Sequence, residues 1–257
     1  MPTVNVNGVS IYYEVHGQGQ PLVLIHHGIG STRMWEEFLP TAVANNYQVI
    51  LYDRRGFGRS DPGENFQDYY LSERYNESSL RELSFLLEHL HIKNNIHFIG
   101  QCEGGVVAFN YAIQNPNTIT AIVASTTLCY SQVKVSQYLA GKMFSSFAQA
   151  DSEFKDKLIH WHGKAHAQEL FALFVKFGGA YGSGVFDLRD TLEKVQCPSL
   201  VLYPDRSRLF EVEQGVLMYR SLHKGELAVL PHCGHNTYAE NPEEYQRIIL
   251  SFFERQH

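Results

Sequence analysis

The chain has 257 residues, 44% of them hydrophobic, with 21 Lys plus Arg against 27 Asp plus Glu and a formal net charge of −6. That apolar content supports a substantial globular core and argues against a disordered or fibrous chain; with no basic run longer than Arg54-Arg55, the footprint of a nucleic-acid or anionic-membrane binder is missing. Four widely spaced cysteines (Cys102, Cys129, Cys197, Cys233) form no CxxC pair, residues 1–8 carry no apolar leader core, and no stretch of about 18 uncharged apolar residues occurs, so a soluble cytoplasmic protein with free thiols is expected.

Val4–Val6 and Ile11–Val15 flank Asn7-Gly8, a pair suited to a hairpin turn, and Pro21–His26 follows, which predicts an antiparallel opening. Beyond it, apolar runs at Gln48–Tyr52, Ile96–Gly100, Ile119–Ala124, Leu200–Tyr203 and Glu226–Leu230 alternate with amphipathic segments, the pattern of a parallel sheet covered on both faces. Ser79–His91 sets Leu80, Leu83, Leu87 and Leu90 on one helical face, and Pro242–Arg255 does the same with Tyr245, Ile248, Ile249 and Phe252. Between residues 129 and 189 the alternation breaks. Helical patches at Val133–Phe147, Glu153–Trp161 and Ala165–Phe177 lead into a glycine-rich tract, Gly178-Gly179-Ala180-Tyr181-Gly182-Ser183-Gly184. This predicts a mostly helical lid, residues 129–189, inserted into a core of residues 1–128 and 190–257.

Ile96-His97-Phe98-Ile99-Gly100-Gln101-Cys102-Glu103-Gly104-Gly105 runs from an apolar strand through a glycine-bracketed turn into a small-residue helix. Such a turn holds one side chain proud of the sheet, and glycines two positions either side let strand and helix backbones approach without Cβ atoms between them. The following N–H, here that of Glu103, sits at a helix N-terminus and can donate to a developing oxyanion.

At these residues the chain resembles the α/β-hydrolase fold family, and further motifs repeat the resemblance in the family's order. His26-His27-Gly28-Ile29-Gly30 resembles its oxyanion loop, implying the Ile29 N–H as second donor. Asp53-Arg54-Arg55-Gly56-Phe57-Gly58-Arg59-Ser60 resembles its D-x-R-G-x-G-x-S turn, and Gly234-His235 followed by Glu240-Asn241-Pro242-Glu243-Glu244 resembles its catalytic-histidine loop. The resemblance implies an α/β fold with a mostly parallel eight-stranded sheet flanked by helices and covered by a helical lid.

The family usually carries Ser at the elbow, and this chain carries Cys102. Cysteine also occurs there in dienelactone hydrolases, polyhydroxyalkanoate synthases and some thioesterases, and a helix N-terminus with a nearby imidazolium would favour its thiolate; the competing reading is a small buried residue on a degenerate elbow. His235 is the expected base. In Leu202-Tyr203-Pro204-Asp205-Arg206-Ser207-Arg208-Leu209-Phe210 the resemblance places Ser207 where the family has its acid, with Asp205 two positions earlier as the alternative. Because a Cys–His pair can rest as thiolate and imidazolium, a neutral orienting group can suffice, so the expected triad is Cys102, His235 and Ser207; Asp205 can equally be a turn residue after Pro204.

Glu103, beside the thiol, would raise its pKa if ionised, and is expected either to pair with a cation or to leave the site as a first-turn helix acid. His162 and His166 share i, i+4 spacing, but Gly163 lies between them and no third metal ligand is evident. The aromatic residues of the lid, among them Tyr130, Trp161, Phe174 and Tyr181, suit an apolar or aromatic acyl group or build the lid's own core. No dinucleotide fingerprint or P-loop occurs, so no cofactor and no metal are expected. The expected activity is hydrolysis of an ester, thioester or lactone through a Cys102 acyl-enzyme, by a monomer or homodimer acting on a small molecule. Acyl transfer or cyclisation, C–C bond hydrolysis on the same fold, a ligand receptor with little turnover, and a redox-responsive thiol are the alternatives.

Overall fold

The computed structural model describes residues 2–36, 38–72, 75–181 and 184–256. Its hairpin opening follows from Asn7 and Gly8, both at positive φ (52° and 87°), which turn β1 (Thr3–Val6) back on β2 (Val9–His16) with Thr3 opposite Tyr12. β3 (Gln20–Ile25), β4 (Tyr47–Tyr52), β5 (Ile96–Gln101), β6 (Ile119–Ser125), β9 (Ser199–Pro204) and β10 (Gly225–Leu230) complete one sheet, with a separate ribbon formed by β7 (Tyr130–Lys134) and β8 (Val185–Asp187). The main sheet has eight strands in the order β1-β2-β4-β3-β5-β6-β9-β10, parallel from β4 onward. Every residue of β5 is buried, as a strand with helices on both faces must be. The chain reverses direction across the sheet between β3 and β5, so loops leaving their carboxyl ends diverge and open a crevice there.

The helices are α1 (Leu39–Ala44), α2 (Phe66–Leu71), α3 (Tyr75–His89), α4 (Glu103–Gln114), α5 (Val135–Leu139), α6 (Ser152–His162), α7 (Lys164–Phe177), α8 (Arg189–Leu192), α9 (Val212–Ser221), α10 (Thr237–Glu240) and α11 (Pro242–Glu254). In α3, Leu80, Leu83, Leu86 and Leu87 are buried, whereas Leu90 falls just past the helix end. Pro242 starts α11, where its missing N–H costs nothing, and Tyr245, Ile249, Phe252 and Phe253 face the core. No helix among the described residues is long and apolar enough to cross a membrane.

The segment between β6 and β9 carries α5, α6, α7 and the ribbon. The helix expected over Val133–Phe147 is instead the end of β7 followed by the single turn of α5: Tyr130 and Lys134 pair with Asp187 and Val185, and Gly141, at φ 77°, stands beyond the helix end. Gly182 and Ser183 of the glycine-rich tract lie outside the described residues.

Candidate active site

β5 delivers Cys102 to the crevice in a conformation that L-residues avoid, φ 54° and ψ −113°. The turn is this tight because of its glycines. A Cβ on Gly100 would stand 2.3 Å from the Gly104 carbonyl, and one on Gly104 would stand 2.2 Å from the Ile25 carbonyl at the end of β3. Cys102 N–H donates to Ser125 O at 2.8 Å, fixing the elbow to β6, and the Glu103 N–H donates to the sulfur.

Cys102 and His235 line one cavity of about 280 Å³, walled by Ile29, Met143, Phe154, Trp161, Phe174 and Phe210.

 The charged members of that lining are Asp151, Glu153 and Lys157, and the rest of the wall is apolar or belongs to the site itself. His235 is held through its backbone: Gln101 Nε2 donates to its carbonyl at 2.9 Å, and so does Thr126 Oγ1 at 3.1 Å. Gln101 also donates to Thr126 Oγ1 at 2.7 Å, so one side chain of the elbow and one of the β6 loop fix the histidine loop together.

Of the two residues expected to orient the imidazole, Ser207 meets it, with Oγ 3.5 Å from His235 Nδ1. Asp205 does not. Its carboxylate accepts from Cys233 N–H at 3.1 Å and faces Arg206, the turn role open to it from the sequence. Ser207 Oγ already accepts from Leu209 N–H (3.2 Å) and Phe210 N–H (3.1 Å). Two donors already occupy that oxygen, so it is left as a weak acceptor for an Nδ1–H, the tautomer in which Nε2 stays free to take a proton. Ser207 therefore helps to orient the ring and brings no negative charge to stabilise an imidazolium.

Burial favours the neutral forms of both groups over the thiolate–imidazolium pair that the sequence allows. Burial pushes the Cys102 thiol up to about 12, and the Glu103 carboxylate adds to the rise. Burial pulls His235 down to about 4. Both groups rest neutral, because little water reaches the charged forms and Ser207 brings no countercharge.

Glu103 pairs with a cation. Arg54 Nη1 and Nη2 donate to its Oε2 at 3.1 and 3.2 Å, and Nη2 also donates to His27 O at 3.1 Å, all of it buried. The pair ties the elbow helix to the oxyanion loop. In that loop the Ile29 N–H points to His27 Nδ1 at 3.3 Å, while its carbonyl accepts from His162 Nε2 at 2.9 Å. His162 Nδ1 in turn accepts from Gly58 N–H at 2.9 Å, and His166 Nε2 donates to the Gly56 carbonyl. The two histidines of the inserted segment thus clamp the oxyanion loop and the Asp53–Ser60 turn, which employs the ring nitrogens that a metal would need.

Sequence reasoning missed the Gln101 and Thr126 anchors and the position of Tyr181, whose hydroxyl lies 3.3 Å from Cys102 Sγ. Gln101 carried a signal in its place beside the nucleophile; Tyr181 carried only its aromatic character.

A sequence model of the family described as alpha/beta hydrolase fold matches residues 20–173. The chain is 25% identical to a 2-hydroxy-6-oxononadienedioate/2-hydroxy-6-oxononatrienedioate hydrolase of Paraburkholderia xenovorans, covering 95% of this chain and 90% of that one. It is 24% identical to a proline iminopeptidase of Lactobacillus crispatus, covering 96% of each. Among solved structures, a meta-cleavage product hydrolase from Pseudomonas fluorescens superposes with a TM-score of 0.80 at 20% identity, over 100% of this chain and 98% of that one.

Proposed function

The chain belongs to the α/β-hydrolase fold family, and from that membership we propose that it hydrolyses a carboxylic ester, thioester or lactone through an acyl-enzyme on Cys102. The observation that carries this reading is the strained backbone of Cys102, held between Gly100 and Gly104 with its thiol on the wall of a cavity that His235 also lines. Strain of that kind persists only where the surrounding structure enforces it.

In the proposed sequence His235 takes the thiol proton as Sγ bonds to the substrate carbonyl carbon, and the carbonyl oxygen takes up the electron pair. The N–H groups of Glu103 and Ile29 receive that oxyanion, the latter after exchanging its contact with His27. Collapse expels the leaving group, to which His235 returns the proton; water then attacks the thioester with His235 as base, releasing the acid and the thiol. Because both groups rest neutral, proton transfer waits for substrate. The segment between β6 and β9 acts as the lid, with Phe154, Trp161 and Phe174 shaping an apolar or aromatic acyl site.

The test is intact-mass spectrometry of wild type and Cys102→Ala after brief exposure to activated esters, lactones and acyl thioesters, with product release followed in parallel. An adduct confined to wild type that decays with turnover is expected. Product released by Cys102→Ala at the wild-type rate would overturn the reading. The dienoate hydrolase relatives favour one second reading, C–C bond hydrolysis beside a ketone, which would give product from such a substrate without an adduct.

A further inference from the structure

Tyr181 stands at the nucleophile with no part in the acyl-transfer sequence above. It closes the 3-10 turn Gly179–Tyr181 at the end of the inserted segment and is 4% exposed, with its hydroxyl 3.3 Å from Cys102 Sγ. The Leu128 N–H donates to the same oxygen at 3.4 Å. A phenol has a single proton to give, and with a backbone donor occupying the oxygen, the sulfur is the acceptor in reach. The turn is seated from the other side as well. Gly179, at φ 73°, lies so close to the Glu103 carboxylate that a Cβ would stand 1.6 Å from Oε1, and the rings of Phe186 and Phe210 meet the Tyr181 ring edge-on.

Resting on the reading of Cys102 as nucleophile, we propose that Tyr181 is a catalytic residue that donates a hydrogen bond to the sulfur as thiolate charge develops. As His235 withdraws the thiol proton, Tyr181 keeps its own; its hydrogen bond strengthens on the thiolate and weakens once the sulfur lone pair is committed to the new C–S bond. The neighbouring Glu103 carboxylate opposes that charge, and the phenol's hydrogen bond adds to that of the Glu103 N–H in offsetting it. The inserted segment, not the sheet, carries it, and the nucleophile is therefore complete only while the Gly179–Tyr181 turn is seated on Glu103.

The test follows alkylation of Cys102 by iodoacetamide, resolved by peptide mass spectrometry from about pH 6 to pH 10, beside kcat and KM for an ester or thioester that wild type turns over. Tyr181→Phe is expected to lower kcat/KM about 10- to 100-fold, mainly through kcat, and to slow alkylation about tenfold at a given pH. Tyr181→3-fluorotyrosine keeps the ring and hydroxyl but donates more strongly, and is expected to move alkylation in the opposite direction. A Phe variant with wild-type alkylation and kcat overturns the proposal; if that variant fails to fold, an unmoved alkylation profile in the fluorotyrosine protein overturns it. Turnover retained in Cys102→Ala fails the nucleophile reading itself, whereas an inactive Cys102→Ala beside an unmoved Tyr181→Phe fails this proposal alone.

Discussion

Ser207 shows how a single hydroxyl changes the chemistry of a base. With Leu209 and Phe210 N–H already on its oxygen, it is a weak and uncharged acceptor for His235 Nδ1–H, so the imidazole is oriented without being made much more basic. A carboxylate there could accept from both backbone groups and from Nδ1–H together. Ser207→Asp is therefore expected to raise the His235 pKa from about 4 and to increase kcat/KM about tenfold or more near neutral pH. The check is the pH–rate profile. In wild type the active form has neutral imidazole and neutral thiol, so kcat/KM should stay flat on the acid side until pH falls through about 4; in Ser207→Asp that limb should move upward. A wild-type limb near 6.5 would contradict the neutral resting pair.

At the scale of elements, the elbow depends on the closeness of β3, β5 and α4. Gly104 lies against the Ile25 carbonyl, a backbone atom that cannot rotate out of the way, so a methyl group there must displace a strand or the helix. Gly104→Ala is expected to cost about 2–4 kcal/mol in urea unfolding and to abolish turnover, since the same displacement moves Cys102. An unchanged urea midpoint would show that the packing yields more easily than its geometry implies. The motif glycines were legible in the sequence because the reason for each is local. The helix expected over Val133–Phe147 was not, because β7 exists only through its pairing with β8, some fifty residues further along the chain.

Across the whole molecule, buried neutral histidines set the acid limit. Burial pulls His162 from its ordinary 6.5 to about 4, and His26 and His27 move the same way. Between those two values the unfolded chain binds more protons than the folded one, so the full stability present above about pH 6.5 is lost progressively as pH falls toward 4. His162 alone accounts for about 3 kcal/mol. Asp53 and Glu82, whose carboxyls burial pushes up, take protons first in the folded state and oppose the loss at the acid end. The urea midpoint is expected to fall steadily below pH 6.5, with a shallower slope in His162→Phe; a midpoint independent of pH in that range would contradict this. What the sequence by itself determined was the hairpin opening, the core strands of the parallel sheet and the glycine-bracketed turn at Cys102, because periodicity and turn chemistry act over a few residues; the His235 loop and the position of Ser207 were read from the family resemblance. Tertiary structure alone decided that Asp205 faces Cys233, that Arg54 finds Glu103 across 49 residues, and that Tyr181 reaches Cys102 across 79. Those contacts depend on how loops from different strands converge at one sheet edge. The desolvation that leaves the thiol and imidazole neutral arises only after they have converged.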